Sequence, residues 1–168
     1  MIEVRRGELH AAHAEALLRP LSAEGDPVTT AGRQLGEVAG PTVEARLREL
    51  GEIPVGGAVI TPAGNLSASF VIHVVVQSAA EPMTGPTVER ALVNGLRRAT
   101  EWGVTSLALP PVGIGPGNME PEAAARILFD VLVEHREGAA DPIDFTIVVE
   151  SDFEEELYRR LVAPAEPA

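Results

Sequence analysis

Apolar residues along the chain fall into short runs and alternating stretches separated by segments in which they recur every three or four positions. Residues 1–5 and the apolar stretch 14–19 read as strands. Asp26-Pro27 has the form of an N-cap followed by proline at the first helical position, which predicts a helix reaching about Ala39 and stopped by Gly40. Pro41 opens a second, short helix with Val43, Leu47 and Leu50 on one face and Gly51 at its end. Residues 58–61 and 70–76 follow as strands. The latter is an almost unbroken β-branched run around His73, a composition suited to a strand covered on both faces. Pro86 opens the clearest helix, with Val88, Ala91, Leu92, Leu96 and Ala99 on one stripe and Gly103 at its end. Residues 106–109 form a strand. A helix from about Met119 to Glu137 turns Ala124, Ile127, Leu128, Val131 and Leu132 inward and stops at Gly138. Residues 145–149 are the last strand, and Asp152 with Glu155 makes a capping-box-like start to a final helix facing in through Leu157 and Leu161.

About six strands interleaved with helices predict an α/β fold, a three-layer α/β/α sandwich over a mixed, mostly parallel sheet. No repeat or long linker divides the chain, so residues 1–162 are expected to form one domain and residues 163–168 a frayed tail. Sheets of this kind bind ligands outside the carboxyl ends of their strands.

Composition narrows the chemistry. Aromatics are 4% of 168 residues, so the core rests on Val, Ile, Leu and Ala. No apolar run approaches the roughly 20 residues of a membrane span, and no signal-peptide core opens the chain; the expected location is cytoplasmic, without a membrane partner. There is no cysteine, which removes disulfides, a thiolate nucleophile and Cys-based metal sites. The net charge of −12 argues against duplex nucleic acid. All 13 basic residues are arginine, so a P-loop lysine and a Schiff-base lysine are also excluded. What remains for an anion is backbone N–H groups and helix N-termini.

One segment offers those groups. After the strand 106–109 come Pro110, Pro111, Val112, Gly113, Ile114, Gly115, Pro116, Gly117 and Asn118, and then a helix. Glycines let a backbone approach a phosphate closely, and the helix dipole adds partial positive charge. Asn118 stands where a dinucleotide fingerprint has its third glycine, and no Gly-Lys pair makes a Walker loop. The alternative is a strand-to-helix turn that binds nothing. Of the histidines, His73 fits a hydrogen-bonded core residue, His135 a helix end, and His10 with His13 lacks the carboxylates of a metal site. The acidic cluster at Glu150, Asp152, Glu154, Glu155 and Glu156 reads as a solvated first helical turn. No nucleophile elbow surrounds any serine.

Several segments in order resemble the macrodomain family. The clearest is Pro54-Val55-Gly56-Gly57-Ala58-Val59-Ile60-Thr61-Pro62-Ala63-Gly64-Asn65-Leu66 leading to Phe70-Val71-Ile72-His73; the helix, strand and glycine loop that follow keep the family's order over about residues 2 to 150. The resemblance implies a mixed, largely parallel six-stranded sheet between helices, with ADP-ribose as default ligand and no cofactor or metal. Gly7-Glu8-Leu9 matches the family's adenine-contacting Gly-Asp-Ile, so Glu8 and Leu9 are implied to hold the adenine. Val112 to Asn118 is implied to hold the phosphates, with Pro116 contributing no N–H. The segment that contacts the distal ribose aligns with Leu18-Arg19-Pro20-Leu21-Ser22, making Ser22 a weak ribose contact beside Gly25. Glu24 and Asp26 then stand where the family offers bare backbone. A carboxylate about 5 Å from a phosphate, at an effective dielectric near 20, costs on the order of 3 kcal/mol before screening. Arg19 offsets this if it points into the cleft; an inter-layer role is the alternative. These features favour binding of ADP-ribose or a related adenine nucleotide. Two alternatives stand beside it: hydrolysis of ADP-ribosylated or ADP-ribose-derived substrates, and a homo-oligomeric scaffold that has lost its ligand.

Overall fold

The computed structural model describes residues 1–113 and 119–163. Its elements run β1 (Ile2–Arg6), a 3-10 turn (Leu9–Ala11), β2 (Ala16–Ser22), α1 (Thr30–Ala39), α2 (Pro41–Leu50), β3 (Ala58–Pro62), β4 (Phe70–Gln77), α3 (Gly85–Glu101), β5 (Ser106–Leu109), α4 (Pro121–Gly138), β6 (Asp144–Val149) and α5 (Asp152–Val162). The six strands form one sheet in the order β1-β6-β5-β2-β4-β3. Every neighbouring pair is parallel except β3 and β4. The mixed, mostly parallel sandwich is therefore as the pattern predicts.

The period-2 alternation of strand side chains distributes the core between two layers. Leu18, Ile72, Val74, Leu107, Phe145 and Ile147 face α3, α4 and α5 and join the larger apolar cluster. Leu17, Val71, Ala108 and Val148 face the opposite way and join Leu9, Leu35 and Val43 in a smaller one. The smaller layer has shorter cover, since α1 and α2 are 10 residues each against 17 for α3 and 18 for α4.

Four local predictions change. The Asp26-Pro27 start is displaced: α1 is capped by Thr29, whose hydroxyl accepts the Gly32 N–H at 2.9 Å. Pro27 instead bridges antiparallel to Leu21. The final helix is capped by Ser151, which accepts from the Glu154 N–H, while the Glu154 carboxylate accepts from the Glu150 N–H; the capping pair lies one residue before the predicted one. Leu50 is half exposed at the end of α2 and leaves the stripe of Val43 and Leu47. β2 continues to Ser22 through Pro20 although it is an inner strand. Proline is tolerated there because β5 pairs with β2 only at Ala16 and Leu17. Beyond β5, the Pro20 carbonyl accepts from the Val28 N–H, and the proline's missing donor has no strand partner to lose.

Candidate functional site at the carboxyl edge of the sheet

The chain leaves β2 toward β4 and β3, through α1 and α2, and leaves β5 in the opposite direction, through α4 toward β6. The two strands are neighbours, so a topological switch point lies between Ser22 at the end of β2 and Leu109 at the end of β5. Connections that diverge from adjacent parallel strands leave a crevice outside their carboxyl ends.

On the β5 side, Pro110 to Gly113 leads away from the sheet. Val112 is fully buried, backbone included, and its side chain belongs to the larger core. Gly113 has a φ of +89°, a conformation that favours glycine, and its carbonyl accepts from the Met119 N–H at 3.1 Å. Ile114, Gly115, Pro116, Gly117 and Asn118 lie outside the described residues. α4 then begins at Pro121, two residues later than predicted; its N-cap, Glu120, makes no side-chain capping bond. The first-turn N–H groups of α4 are therefore not capped by that side chain.

On the β2 side, the chain folds back. The Ser22 N–H donates to the Asp26 carbonyl at 2.8 Å, the Gly25 N–H to the Ser22 carbonyl at 2.9 Å, and the Val28 N–H to the Pro20 carbonyl at 3.2 Å. The Ser22 hydroxyl, 8% exposed, accepts from the Asp26 N–H. This side chain braces the loop through the Asp26 N–H, at the position where a ribose contact is expected. Glu24 turns away from β5: its carboxylate accepts from the Ala79 N–H at 2.8 Å, on the loop that follows β4. That bond, chiefly, holds the Glu24 carboxyl below the ordinary carboxylate range. Glu24 and Asp26 line a polar cleft of about 500 Å³ together with Gln77 and Ser78.

Arg19 does not enter the crevice. It is 2% exposed and lies between the sheet and the α1–α2 layer, donating through Nε to the Gly32 carbonyl at 2.9 Å. Its Nη1 stands 2.7 Å from Glu44 but off the hydrogen-bonding direction, a charge contact rather than a bond. Gly36 of α1 passes so closely that a Cβ there would collide with the guanidinium. Beside Arg19 in register is His73, fully buried, its Nε2 3.0 Å from the Thr61 hydroxyl. Burial first, and then the nearby guanidinium, pulls its pKa down to about 3. His73 is a neutral core residue, as predicted.

The third part of the site lies two strands from β5. The Gly7 N–H donates to the Val149 carbonyl, so the ends of β1 and β6 emerge together. Glu8 is exposed and pairs with His10 at 3.1 Å. Leu9 is 1% exposed and packs in the smaller core, so its side chain is not available to an adenine. At the same end Arg6 pairs with Asp152 and Glu155, anchoring the first turn of α5. That turn carries Phe153, 57% exposed, four residues after the carboxyl end of β6. The pattern reading missed it: Phe153, Leu157 and Leu161 are spaced as an inward stripe. The available signal was its place in a first turn, directly after the strand's carboxyl end.

The switch point, the glycine turn after β5 and the Gly7-Glu8-Leu9 segment are arranged on one carboxyl edge. The family model for the Macro domain matches residues 26–128. The chain belongs to the Macro domain family. An uncharacterized protein of Mycobacterium tuberculosis is 31% identical to this macrodomain over 147 residues, 83% of the chain but 41% of the relative, so the chain spans about two-fifths of that protein. A Macro domain-containing protein of Caldanaerobacter subterraneus is 30% identical, over 70% of this chain and 71% of its own. The fold is also that of solved macrodomains. A mutant Oceanobacillus iheyensis macrodomain with ADPR superposes with a TM-score of 0.81 at 19% identity, covering 96% of this chain and 91% of its own. The Trypanosoma brucei macrodomain in complex with ADP gives 0.84 at 17% identity, covering 96% and 69%.

Proposed function

We propose that this macrodomain binds ADP-ribose or a related adenine nucleotide along the carboxyl edge of its sheet. The observation that carries the reading is the switch point between β2 and β5, and the glycine-rich stretch of sequence 113–118 falls between the end of β5 and α4. With no lysine in the chain, the anion is held by backbone N–H groups of residues 113–118, Pro116 excepted, and of the first turn of α4 after Pro121. The adenine lies toward β1 and β6, where the Glu8 carboxylate accepts from its amino group and Phe153 offers a ring for stacking. Ser22 and Gly25 border the distal end, the Ser22 hydroxyl already accepting from the Asp26 N–H. The ADPR and ADP in the two structural relatives support the choice of ligand class.

Calorimetry with ADP-ribose, ADP and AMP tests the reading. Heat is expected from at least one of them at millimolar ligand or below, and silence from all three refutes the proposal. Gly115→Glu sets a carboxylate against the phosphates; at about 5 Å this costs on the order of 3 kcal/mol, or a hundredfold in Kd.

A further inference from the structure

The sequence sets His10 and His13 three residues apart without the carboxylates of a metal site, and nucleotide binding gives neither a task. In the structure one of them has an acid beside it. Nε2 of His10 stands 3.1 Å from Oε2 of Glu8, the residue proposed to accept from the adenine amino group. His13 is exposed and has no such partner among the described residues.

The two side chains differ in freedom. Glu8 precedes the 3-10 turn in an extended conformation, φ −100° and ψ 132°, yet its carboxylate makes no capping bond to the turn. That side chain is 61% exposed, and among the described residues His10 is its one ion-pair partner. The His10 side chain is 20% exposed and belongs to the turn itself. The turn is fixed on several sides. Before it the Gly7 N–H donates to the Val149 carbonyl, and the Ala11 and Ala12 N–H groups close it on the Glu8 and Leu9 carbonyls at 3.1 Å. Leu9 is sunk in the smaller core, and the turn packs against α1. A long carboxylate loses rotamer freedom when it accepts from a ligand, and a rigid partner that restrains it beforehand lowers that loss.

We infer that His10 is a positioning residue for base selection: it holds the Glu8 carboxylate through Oε2, so that Oε1 accepts from the exocyclic amino group of adenine. The inference rests on the proposed nucleotide site and adds a selectivity set in part by a residue that does not touch the ligand. A carboxylate accepts from the adenine amino group but meets only another acceptor where hypoxanthine carries its oxygen. The selectivity is therefore for adenine over hypoxanthine, and it grows as the carboxylate is better held.

The test is the Kd of ADP and of IDP, by calorimetry, for the wild type and variants at position 10. The wild type is expected to bind ADP more tightly than IDP. His10→Ala is expected to cut that preference by about three- to fivefold, through weaker ADP binding with IDP unchanged. His10→Gln, whose amide still donates, is expected to recover most of it, and His13→Ala to leave it as in the wild type. In a Glu8→Gln background His10→Ala should change the preference no further. His10→Phe keeps a ring without a donor and gives the same readout, should His10→Ala lose its cooperative melt. The inference is overturned if the preference survives the loss of His10, if both nucleotides weaken equally, or if the wild type binds ADP and IDP alike. Each of those results leaves the nucleotide site standing. Silence of the wild type toward both nucleotides overturns the site and the inference together.

Discussion

A buried guanidinium with glycine on its far side makes an unusual demand on a helix. Gly36 lies within α1, where alanine would ordinarily add up to about 1 kcal/mol of helix propensity. Here Arg19 is fixed by the Gly32 carbonyl and Glu44, and cannot retreat from an added methyl without breaking one of those contacts. Gly36→Ala is therefore expected to destabilise by about 1–2 kcal/mol in urea unfolding, against the helix scale. The loss should vanish in an Arg19→Met background, and a stabilising Gly36→Ala would show that the guanidinium moves freely. His73 sets a second residue-scale expectation. Its folded pKa is depressed to about 3 against about 6.5 unfolded, so below pH 6.5 the unfolded chain binds the extra proton. Stability conferred by the neutral ring is complete above that pH and declines toward pH 3. The decline at pH 5 is about 2 kcal/mol relative to pH 7, and His73→Leu should flatten that part of the profile.

At the scale of elements, Phe153 illustrates what a helix's first turn can offer a ligand. Phe153→Ala is expected to weaken adenine-nucleotide binding by about 1–3 kcal/mol, the range of a base–aromatic stack, with little change in melting temperature because the ring is exposed. An unchanged Kd would remove Phe153 from the site. The residue was hidden in the sequence by the periodicity that made α5 easy to find. Long elements such as α3 and α4 were legible because one face of each is buried along its length, and β4 because its β-branched run is buried on both faces. The β2–α1 connection was not. Asp26-Pro27 has the local chemistry of a helix start, but the backbone groups beyond the end of β5 needed partners, and the chain met them by returning antiparallel along β2. The same return brought the Asp26 N–H to the Ser22 hydroxyl and sent Glu24 to Ala79, neither of which depends on neighbours in sequence. Leu9 and Val112 lie in segments next to the carboxyl edge, but both residues are packed in the core, a burial that no neighbour in sequence announces.

For the molecule as a whole, a net charge of −12 without lysine means that an anionic ligand approaches against the long-range field. Backbone donors act only at contact. Raising salt from about 20 to 200 mM should then tighten nucleotide binding, by roughly threefold, because it screens repulsion while leaving short hydrogen bonds intact. Affinity that falls steeply with salt would instead require arginine side chains at the phosphates. The edge-to-edge polarity of the sandwich also sets its one tryptophan apart from the proposed site. Trp102, the only tryptophan, packs edge-on to Phe70 at the amino-terminal end of β4, opposite the carboxyl edge. Tyr158, the only tyrosine, is sealed in the larger core, and burial raises its phenol pKa. Intrinsic emission from Trp102 and the ultraviolet ionisation of Tyr158 thus report on the integrity of the scaffold, and a nucleotide bound at the proposed site is expected to leave the Trp102 emission unchanged.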